Sequence, residues 1–389
     1  VGVDAGRSRR LSPRQRGPLG RFDEDDVRVR PNRRGSRPRT KDRPAHADAV
    51  DAFVVAVDRG RSTCLVGEGS AEQRVVTAMR ARELGRTGVV VGDRVGLVGD
   101  TSGTTDTLAR IVRIDERRTK LRRSADDTDP IERVVVANAD LLVVVTAVAN
   151  PEPRSRLVDR CLVAAYDAGM TPLLCLTKGD LRPAEEVLTT WAPLGLEAVV
   201  TSRGPGGLLG LDAVRERLAG RTSVLVGHSG VGKSTLVNAL VPDAERATGH
   251  VNAVTGRGRH TSSASSALAL PGGGWVIDTP GVRSFGLAHV DPESVLRAFP
   301  DLLPGEEDCP RGCTHVEPDC GLDGWVAAGR AGAAGPVRLA SFRRLLAARR
   351  GTLDDRGEDR ADDRGEDRGE DRADDRGEDR TPQEGREPE

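Results

Sequence analysis

Nine consecutive residues, Gly227-His228-Ser229-Gly230-Val231-Gly232-Lys233-Ser234-Thr235, have the spacing G-x-x-x-x-G-K-[ST]. Glycines so spaced let the backbone curl until successive N–H groups converge on one anion, with a helix N-terminus behind them. The chemistry this serves is the cradling of a polyphosphate. Lys233 reaches the β- and γ-phosphates and the Ser234 hydroxyl ligates Mg²⁺, while the loop from Gly227 to Thr235 lines the nucleotide. Downstream, Val276-Ile277-Asp278-Thr279-Pro280-Gly281 ends an apolar run in D-x-x-G. There Asp278 would hold Mg²⁺ through water, and the Gly281 amide would meet the γ-phosphate. Between the two motifs the polar stretch Gly256-Arg257-Gly258-Arg259-His260-Thr261-Ser262-Ser263 would supply a switch hydroxyl for Mg²⁺. Thr261 is favoured, with Ser262 and Ser263 as alternatives.

Residue usage marks a second position. The chain holds 59 Lys+Arg, yet only Lys41, Lys120, Lys178 and Lys233 are lysines. Two of these four fall in the phosphate loop and in Thr177-Lys178-Gly179-Asp180. Lys and Arg are not interchangeable at tight sites, so geometry rather than charge alone is demanded at both. A third cluster is Cys309-Pro310-Arg311-Gly312-Cys313-Thr314-His315-Val316-Glu317-Pro318-Asp319-Cys320. Three thiolates and an imidazole suit a closed tetrahedral Zn²⁺ site with no open position, hence a structural one. The stretch has few apolar residues, so metal is expected to stand in for a core there.

These residues need elements to hold them. Thr222-Ser223-Val224-Leu225-Val226 reads as a buried strand in front of the phosphate loop, and Thr235 to Leu240 as the helix behind it. Leu141 to Val145 and Pro172 to Thr177 read as further buried strands. Ser155 to Asp167 reads as a helix with Leu157, Cys161, Leu162 and Ala165 on one face, and another helix is expected near 207–219. The alternation describes a parallel α/β sheet, with Asp180 just past the carboxyl end of its strand, where such sheets bind ligands. Earlier, short β runs follow one another: Phe53–Val57, Thr63–Val66, Arg74–Thr77, Val89–Val91, Arg94–Val98 and Leu108–Ile114. They suit a small closed barrel of the OB type. Phe53 is its only aromatic, so base stacking is poorly supported. Arginines 110, 113, 117, 118, 122 and 123 make contact with backbone phosphate the better expectation.

The net charge of −1 conceals an asymmetry. Residues 1–46 carry fourteen Lys/Arg against six Asp/Glu, net +8, and residues 352–389 carry eight Arg against seventeen Asp/Glu, net −9. Both ends have almost nothing apolar to bury and read as disordered, the tail through a repeated [Gly/Ala]-[Glu/Asp]-Asp-Arg unit. No apolar run approaches the ~18 residues of a membrane span, and there is no signal-peptide core. Six cysteines, clustered only once, suit a reducing cytoplasm.

Thr177-Lys178-Gly179-Asp180 and Thr201-Ser202-Arg203 precede the phosphate loop, whereas guanine-nucleotide proteins usually place such motifs after D-x-x-G. This circularly permuted order, with a barrel in front and a Cys/His cluster behind, resembles the ribosome small-subunit-dependent GTPase A family (RsgA, also called YjeQ). The resemblance covers roughly 48–350. It implies that Asp180 reads the guanine N1 and N2 donors, that Lys178 packs on the base, and that the loop at Ser202 and Arg203 offers an N–H to O6. An Asp accepting two N–H bonds disfavours adenine. Thr177 stands where Asn is commoner, Arg203 where Ala is, and the Cys/His spacing is one residue tighter in each gap.

The architecture expected is therefore multidomain. A disordered basic arm (1–46) precedes an OB-fold RNA-binding barrel (47–122) and a circularly permuted P-loop α/β GTPase domain (123–290). A zinc-binding helical domain (291–350) and a disordered charged tail (351–389) follow. The resemblance implies a cytoplasmic, monomeric GTP hydrolase with GTP/GDP, Mg²⁺ and one Zn²⁺. It would bind the small ribosomal subunit and its rRNA during late subunit assembly, with hydrolysis stimulated by the subunit and driving release. Val282, not Gln, follows D-x-x-G, so unaided hydrolysis should be slow, with His260 a candidate for orienting water. An RNA-binding module whose nucleotide site is structural or holds ATP is the alternative, and Asp180 discriminates between the two. The permutation also places 281–286 a short step before the Cys/His cluster. Nucleotide-driven movement is thus expected to pass to the metal domain more directly than to a distant barrel.

Overall fold

The computed structural model describes residues 46–85, 87–124, 132–241, 265–279, 287 and 290–350. The basic arm, the charged tail, His260, Thr261, Ser262, Ser263, Gly281 and Val282 lie outside them.

Five strands make the barrel: β1 (Val50–Asp58), β2 (Arg61–Val66), β3 (Arg74–Arg80), β4 (Arg94–Gly99) and β5 (Ala109–Ile114). β1, β2 and β3 pair antiparallel in turn, β3 runs parallel to β5, and β4 pairs with both β5 and β1, which closes the ring. Alternate residues point inward, as period-two strands require. Val54, Cys64, Val66, Val76, Ala78, Val95, Leu97 and Ile111 fill the interior. Val89–Val91 is no barrel strand. Gly92 turns the chain at φ +93°, the Asp93 carboxylate takes the Val90 N–H, and Val91 makes a single bridge to Val136.

A hairpin of β6 (Lys120–Ser124) and β7 (Glu132–Ala137) leads into the α/β sheet. Its strands are β8 (Leu141–Ala147), β9 (Thr171–Thr177), β10 (Glu197–Val200), β13 (Thr222–Val226), β14 (Ser266–Ala269) and β15 (Trp275–Asp278), with a small hairpin of β11 (Ser202–Gly204) and β12 (Gly207–Leu209) beside it. The order is β10-β9-β8-β13-β15-β14, parallel except for β14. The chain lays β9 and β10 on one side of β8 and returns on the other with β13. The crevice between the carboxyl ends of β8 and β13 is thus the switch point of the sheet, where ligands of such folds bind.

Helices α1 (Ser155–Asp167), α2 (Ala184–Leu188), α3 (Leu211–Leu218) and α4 (Lys233–Leu240) connect these strands. The helix expected over 207–219 is shorter, because Gly207–Leu209 is taken up by β12 and Gly210, at φ +77°, starts the turn into α3. Strand residues alternate between two cores. Leu142, Val144, Leu174, Leu176, Val224 and Ile277 face α1, while Leu141, Val143, Leu173, Cys175, Leu225 and Val276 face α3 and α4. This is why the strands read as unbroken apolar runs.

The α1 core continues into the last helices, α5 (Pro292–Leu296), α6 (Gly321–Ala327) and α7 (Gly335–Arg350), through Leu296, Phe299, Leu302, Leu322, Phe342 and Leu345. Phe299 and Phe342 meet edge to face at 5.4 Å. Three arginines of α7, Arg338, Arg343 and Arg344, are taken up by contacts within the fold. Arg338 binds Asp301 and the Pro193 carbonyl, Arg343 binds Asp323 and the His315 carbonyl, and Arg344 binds the buried Asp159 of α1. The flanking helices therefore carry the apolar contacts that the Cys/His loop lacks.

The barrel is not remote from the α/β sheet either. β1 shifts register against β2 between Val54 and Ala56, and there Ala56 pairs with Ser266 of β14. Barrel and sheet are one continuous sheet of eleven strands. Phe53 is buried against Trp275 at 5.0 Å, which closes it to base stacking. Of the arginines expected to meet phosphate, Arg117 instead clasps the fully buried Asp93 at 2.7 and 2.9 Å. Arg118 pairs with Asp140 and Arg113 with Asp115. A buried carboxylate needs such a partner more than the surface needs another cation.

Candidate nucleotide and metal sites

The phosphate loop leaves β13 beside β8. Gly227 is glycine by close approach, since a Cβ there would overlap the Val145 carbonyl oxygen. Gly230 and Gly232 are glycines by conformation, at φ +76° and +92°, and Gly232 caps α4. Buried Val231 pegs the loop into the core below. Ser234 and Thr235 stand exposed in the first turn of α4, and His228 and Ser229 lie on the outer arc, where His228 Nδ1 is 2.9 Å from the Ser229 carbonyl oxygen.

Lys233 Nζ lies 3.9 Å from Asp278 Oδ1. That oxygen is buried and has no hydrogen-bond partner. A carboxyl oxygen without a hydrogen bond beside a phosphate loop fits a site for a hard cation, which oxygen ligands favour. Thr279 Oγ1 donates to the Leu225 carbonyl, 3.1 Å away, and fixes the strand end from the other side.

The second motif closes on the same loop. Thr177 is buried at the end of β9, and its hydroxyl donates to the Val231 carbonyl. Thr177 thus ties strand to loop. Lys178, at φ +57°, sends Nζ to the Asn150 carbonyl. Gly179 donates its N–H to the Thr201 carbonyl at 3.0 Å, and a Cβ on it would stand 2.7 Å from Ser202 Oγ and 2.8 Å from Val200 Cγ1. Asp180 is exposed, and its Oδ1 accepts the Arg203 N–H at 2.9 Å. That backbone bond is the main reason its carboxyl lies below the usual carboxylate range. The amide therefore orients the carboxylate, a use that motif spacing did not reveal.

Sequence reasoning missed the loop after β8 altogether. Pro151 Cδ lies 3.8 Å from where a Cβ of Gly230 would be, so this loop walls the phosphate loop. Arg182 holds it in place, donating to the Val148 carbonyl and pairing with Glu152 at 3.3 Å. Only the Pro-rich segment Pro151-Glu152-Pro153 hinted at a rigid turn.

The four residues of the Cys/His cluster come together in space. The ligand atoms of Cys309, Cys313, His315 and Cys320 all lie within 4.8 Å of one another. A tetrahedron with Zn–S bonds of about 2.3 Å has S···S edges of about 3.8 Å and S···N edges of about 3.6 Å. Cys309 Sγ is 3.8 Å from Cys320 Sγ and 3.6 Å from His315 Nδ1, and Cys320 Sγ is 3.8 Å from the same nitrogen. The tighter spacing is accommodated by left-handed backbone at Gly312 (φ +79°) and His315 (φ +64°). Glu317 organises the turn, accepting from the Thr314 N–H at 2.9 Å and the Thr314 hydroxyl at 2.6 Å. The four residues are compatible with zinc.

A phosphate loop, a D-x-x-G strand and a T-K-G-D turn around one switch point, reached in permuted chain order, define a circularly permuted P-loop GTPase fold. A profile of the RsgA GTPase family matches residues 114–288. The small ribosomal subunit biogenesis GTPase RsgA of Chlorobaculum tepidum is 38% identical over 282 residues, 70% of this chain and 89% of that protein. Its namesake in Pseudomonas aeruginosa PAO1 is 38% identical over 267 residues, 67% of this chain and 75% of that one. The crystal structure of YjeQ from Thermotoga maritima superposes with a TM-score of 0.53 at 25% identity, covering 78% of this chain and 99% of that chain. YloQ, a circularly permuted GTPase, shares the fold with a TM-score of 0.54, covering 79% and 99%. The chain belongs to the RsgA GTPase family and is a GTP hydrolase by class. Among the described residues no helix is long and apolar enough to cross a membrane.

Proposed function

We propose that the protein hydrolyses GTP on the small ribosomal subunit, bound to its rRNA, during late maturation of that subunit, and that the subunit stimulates hydrolysis and is released by it. The observation that carries the reading is the meeting of two halves at one crevice. Asp180, aimed by the Arg203 amide, stands at the carboxyl end of β9, and the Lys233–Asp278 pair stands beside β13. The names of the relatives, small ribosomal subunit biogenesis GTPases, supply the partner.

In this reading Asp180 accepts the guanine N1 and N2 protons, and Lys178 covers the base. Ser202 and the Thr177–Val231 tie fix the distance from base to phosphate loop. Lys233 and the amides from His228 to Thr235 neutralise the phosphates. The Ser234 hydroxyl and the Asp278 carboxylate would hold Mg²⁺, which supplies further charge neutralisation, with Thr261 completing the set and the Gly281 amide meeting the γ-phosphate. His260 orients water, since Val282 cannot. Cys309, Cys313, His315 and Cys320 hold one structural Zn²⁺. The protein works as a cytoplasmic monomer, its domains divided near residues 46, 122, 290 and 350.

Turnover with and without purified small subunits tests the proposal. Slow basal hydrolysis with strong stimulation is expected, and fast unstimulated hydrolysis would sink it. Asp180→Asn should erase the preference for GTP and GDP over ATP in competition binding. Equal competition by ATP against the unaltered chain would favour the structural-nucleotide alternative.

A further inference from the structure

The strand that ends in Asp278 is only four residues long, and its other end is held by the barrel. Trp275 opens β15, and its indole packs on Phe53 of β1 at 5.0 Å. Its Nε1–H donates to Glu68 Oε1, in the turn between β2 and β3, at 2.6 Å. The other oxygen of Glu68 pairs with Arg94 at 2.6 Å, and the Arg94 guanidinium lies over the Phe53 ring at 4.6 Å. Four side chains, three from the barrel and one from β15, thus form a closed ring of contacts.

A second connection runs through the backbone. Ala56 of the barrel pairs with Ser266, Ser266 pairs with Asp278, and Asp278 pairs with Leu225 of the phosphate-loop strand. The barrel therefore sits one strand away from Asp278, in register with it. β15 has only four residues, paired with β13 on one side and β14 on the other. Its position is set by what holds it across and along the sheet.

We infer that Glu68 and Trp275 are positioning residues for the hydrolysis site: the barrel, through the Phe53–Trp275–Glu68–Arg94 cluster, holds β15 so that Asp278 stands opposite Lys233. The inference rests on the reading of Asp278 as the carboxylate that serves the phosphate end. It makes the barrel part of the nucleotide site. Any ligand that shifts β1 against β14 shifts Asp278, and the γ-phosphate end acts back on the barrel by the same seam.

The test uses the full chain with Mg²⁺ and GTP. Trp275→Phe keeps an aromatic ring on Phe53 and deletes the N–H donor, whereas Glu68→Ala deletes the acceptor. Each should lower kcat roughly fivefold, the equivalent of about one hydrogen bond, and leave GDP affinity within about twofold. Glu68→Gln, which keeps an acceptor for Nε1–H, should recover most of the lost rate. The Trp275→Phe/Glu68→Ala double variant should be no slower than the slower single one. In the unaltered chain, hydrogen exchange over 53–68 should differ between the GDP and GTP-analogue states. Unchanged kcat in both single variants, GDP affinity falling in step with kcat, additive effects, or identical exchange over 53–68 would each overturn the anchor. An unaltered chain that turns over no GTP would instead overturn the nucleotide reading beneath it, and the anchor with it.

Discussion

The joint between α1 and α7 offers a quantitative test of how the helices around the Cys/His cluster are held. Asp159 is buried, with Oδ1 accepting from Trp191 Nε1 at 2.9 Å and Oδ2 from Arg344 Nε at 3.0 Å. Burial pushes its carboxyl above the ordinary 3.8, and the Arg344 charge and the Trp191 bond pull it back. Arg344→Ala removes the larger of those two restraints, so the folded-state value rises further. Removing one partner of a fully buried pair costs about 3–5 kcal/mol. The Arg344 side chain is 36% exposed and already shares its charge with solvent, which brings the expectation to about 2 kcal/mol at neutral pH. Because the folded value lies above the unfolded one, the folded chain binds the extra proton. Stability is then full below 3.8 and is lost as pH rises through the folded value. The deficit of Arg344→Ala should thus be larger at pH 8 than at pH 5. Asp159→Ala leaves no charge to titrate. It should cost about 1 kcal/mol at pH 8, as the Trp191 N–H loses its acceptor while the burial of a charge is relieved, and no less at pH 5, where the unaltered chain gains from the raised carboxyl. Urea titrations at the two pH values, with hydrogen exchange over 155–167 and 335–348, provide the readout. An Arg344→Ala deficit that is the same at both pH values, or smaller at pH 8 than that of Asp159→Ala, would refute the reasoning.

Three further outcomes are expected. Gly179→Ala places a methyl 2.7 Å from Ser202 Oγ and 2.8 Å from Val200 Cγ1, which displaces the Lys178–Asp180 turn. A fluorescent-GDP titration should show binding weakened about tenfold, of order 1.4 kcal/mol, and undiminished binding would show that the turn has slack. Thr177→Val keeps the volume but leaves the Val231 carbonyl without its donor. At about 1–3 kcal/mol for a buried unpaired group, stopped-flow exchange should reveal GDP dissociation faster by about an order of magnitude. Cys320→Ser should lower zinc content, measured by elemental analysis, and loosen exchange over 309–320, yet leave the α1–α7 contact protected, because Phe299, Phe342 and Leu345 hold it. Global unfolding would instead mean that the metal replaces the core.

Much of the candidate site could be read along the chain because its chemistry is local. The phosphate loop needs glycines at fixed offsets for its backbone turns, and Gly227, Gly230 and Gly232 stand where close approach or positive φ demands them. Cys309, Cys313, His315 and Cys320 sit within twelve residues, so few conformations separate the spacing from the tetrahedron it makes. Buried strands such as Leu141–Ala147 announce themselves because both faces are covered. Partner choice across long separations left no such trace. Nothing local to Phe53 says that Trp275 will cover it, nor to Arg344 that Asp159 waits beneath it. Nothing in the local sequence distinguishes an arginine left on the surface from one that clasps a buried carboxylate, and Arg117 and Arg344 were separated from the surface arginines only by packing. The same holds for the seam between barrel and sheet. A register shift between Val54 and Ala56 turns one edge of β1 toward Ser266, and only in three dimensions does that edge come to lie one strand from Asp278. Periodicity determines which face of a strand is apolar, whereas the space left by the rest of the fold decides what that face meets.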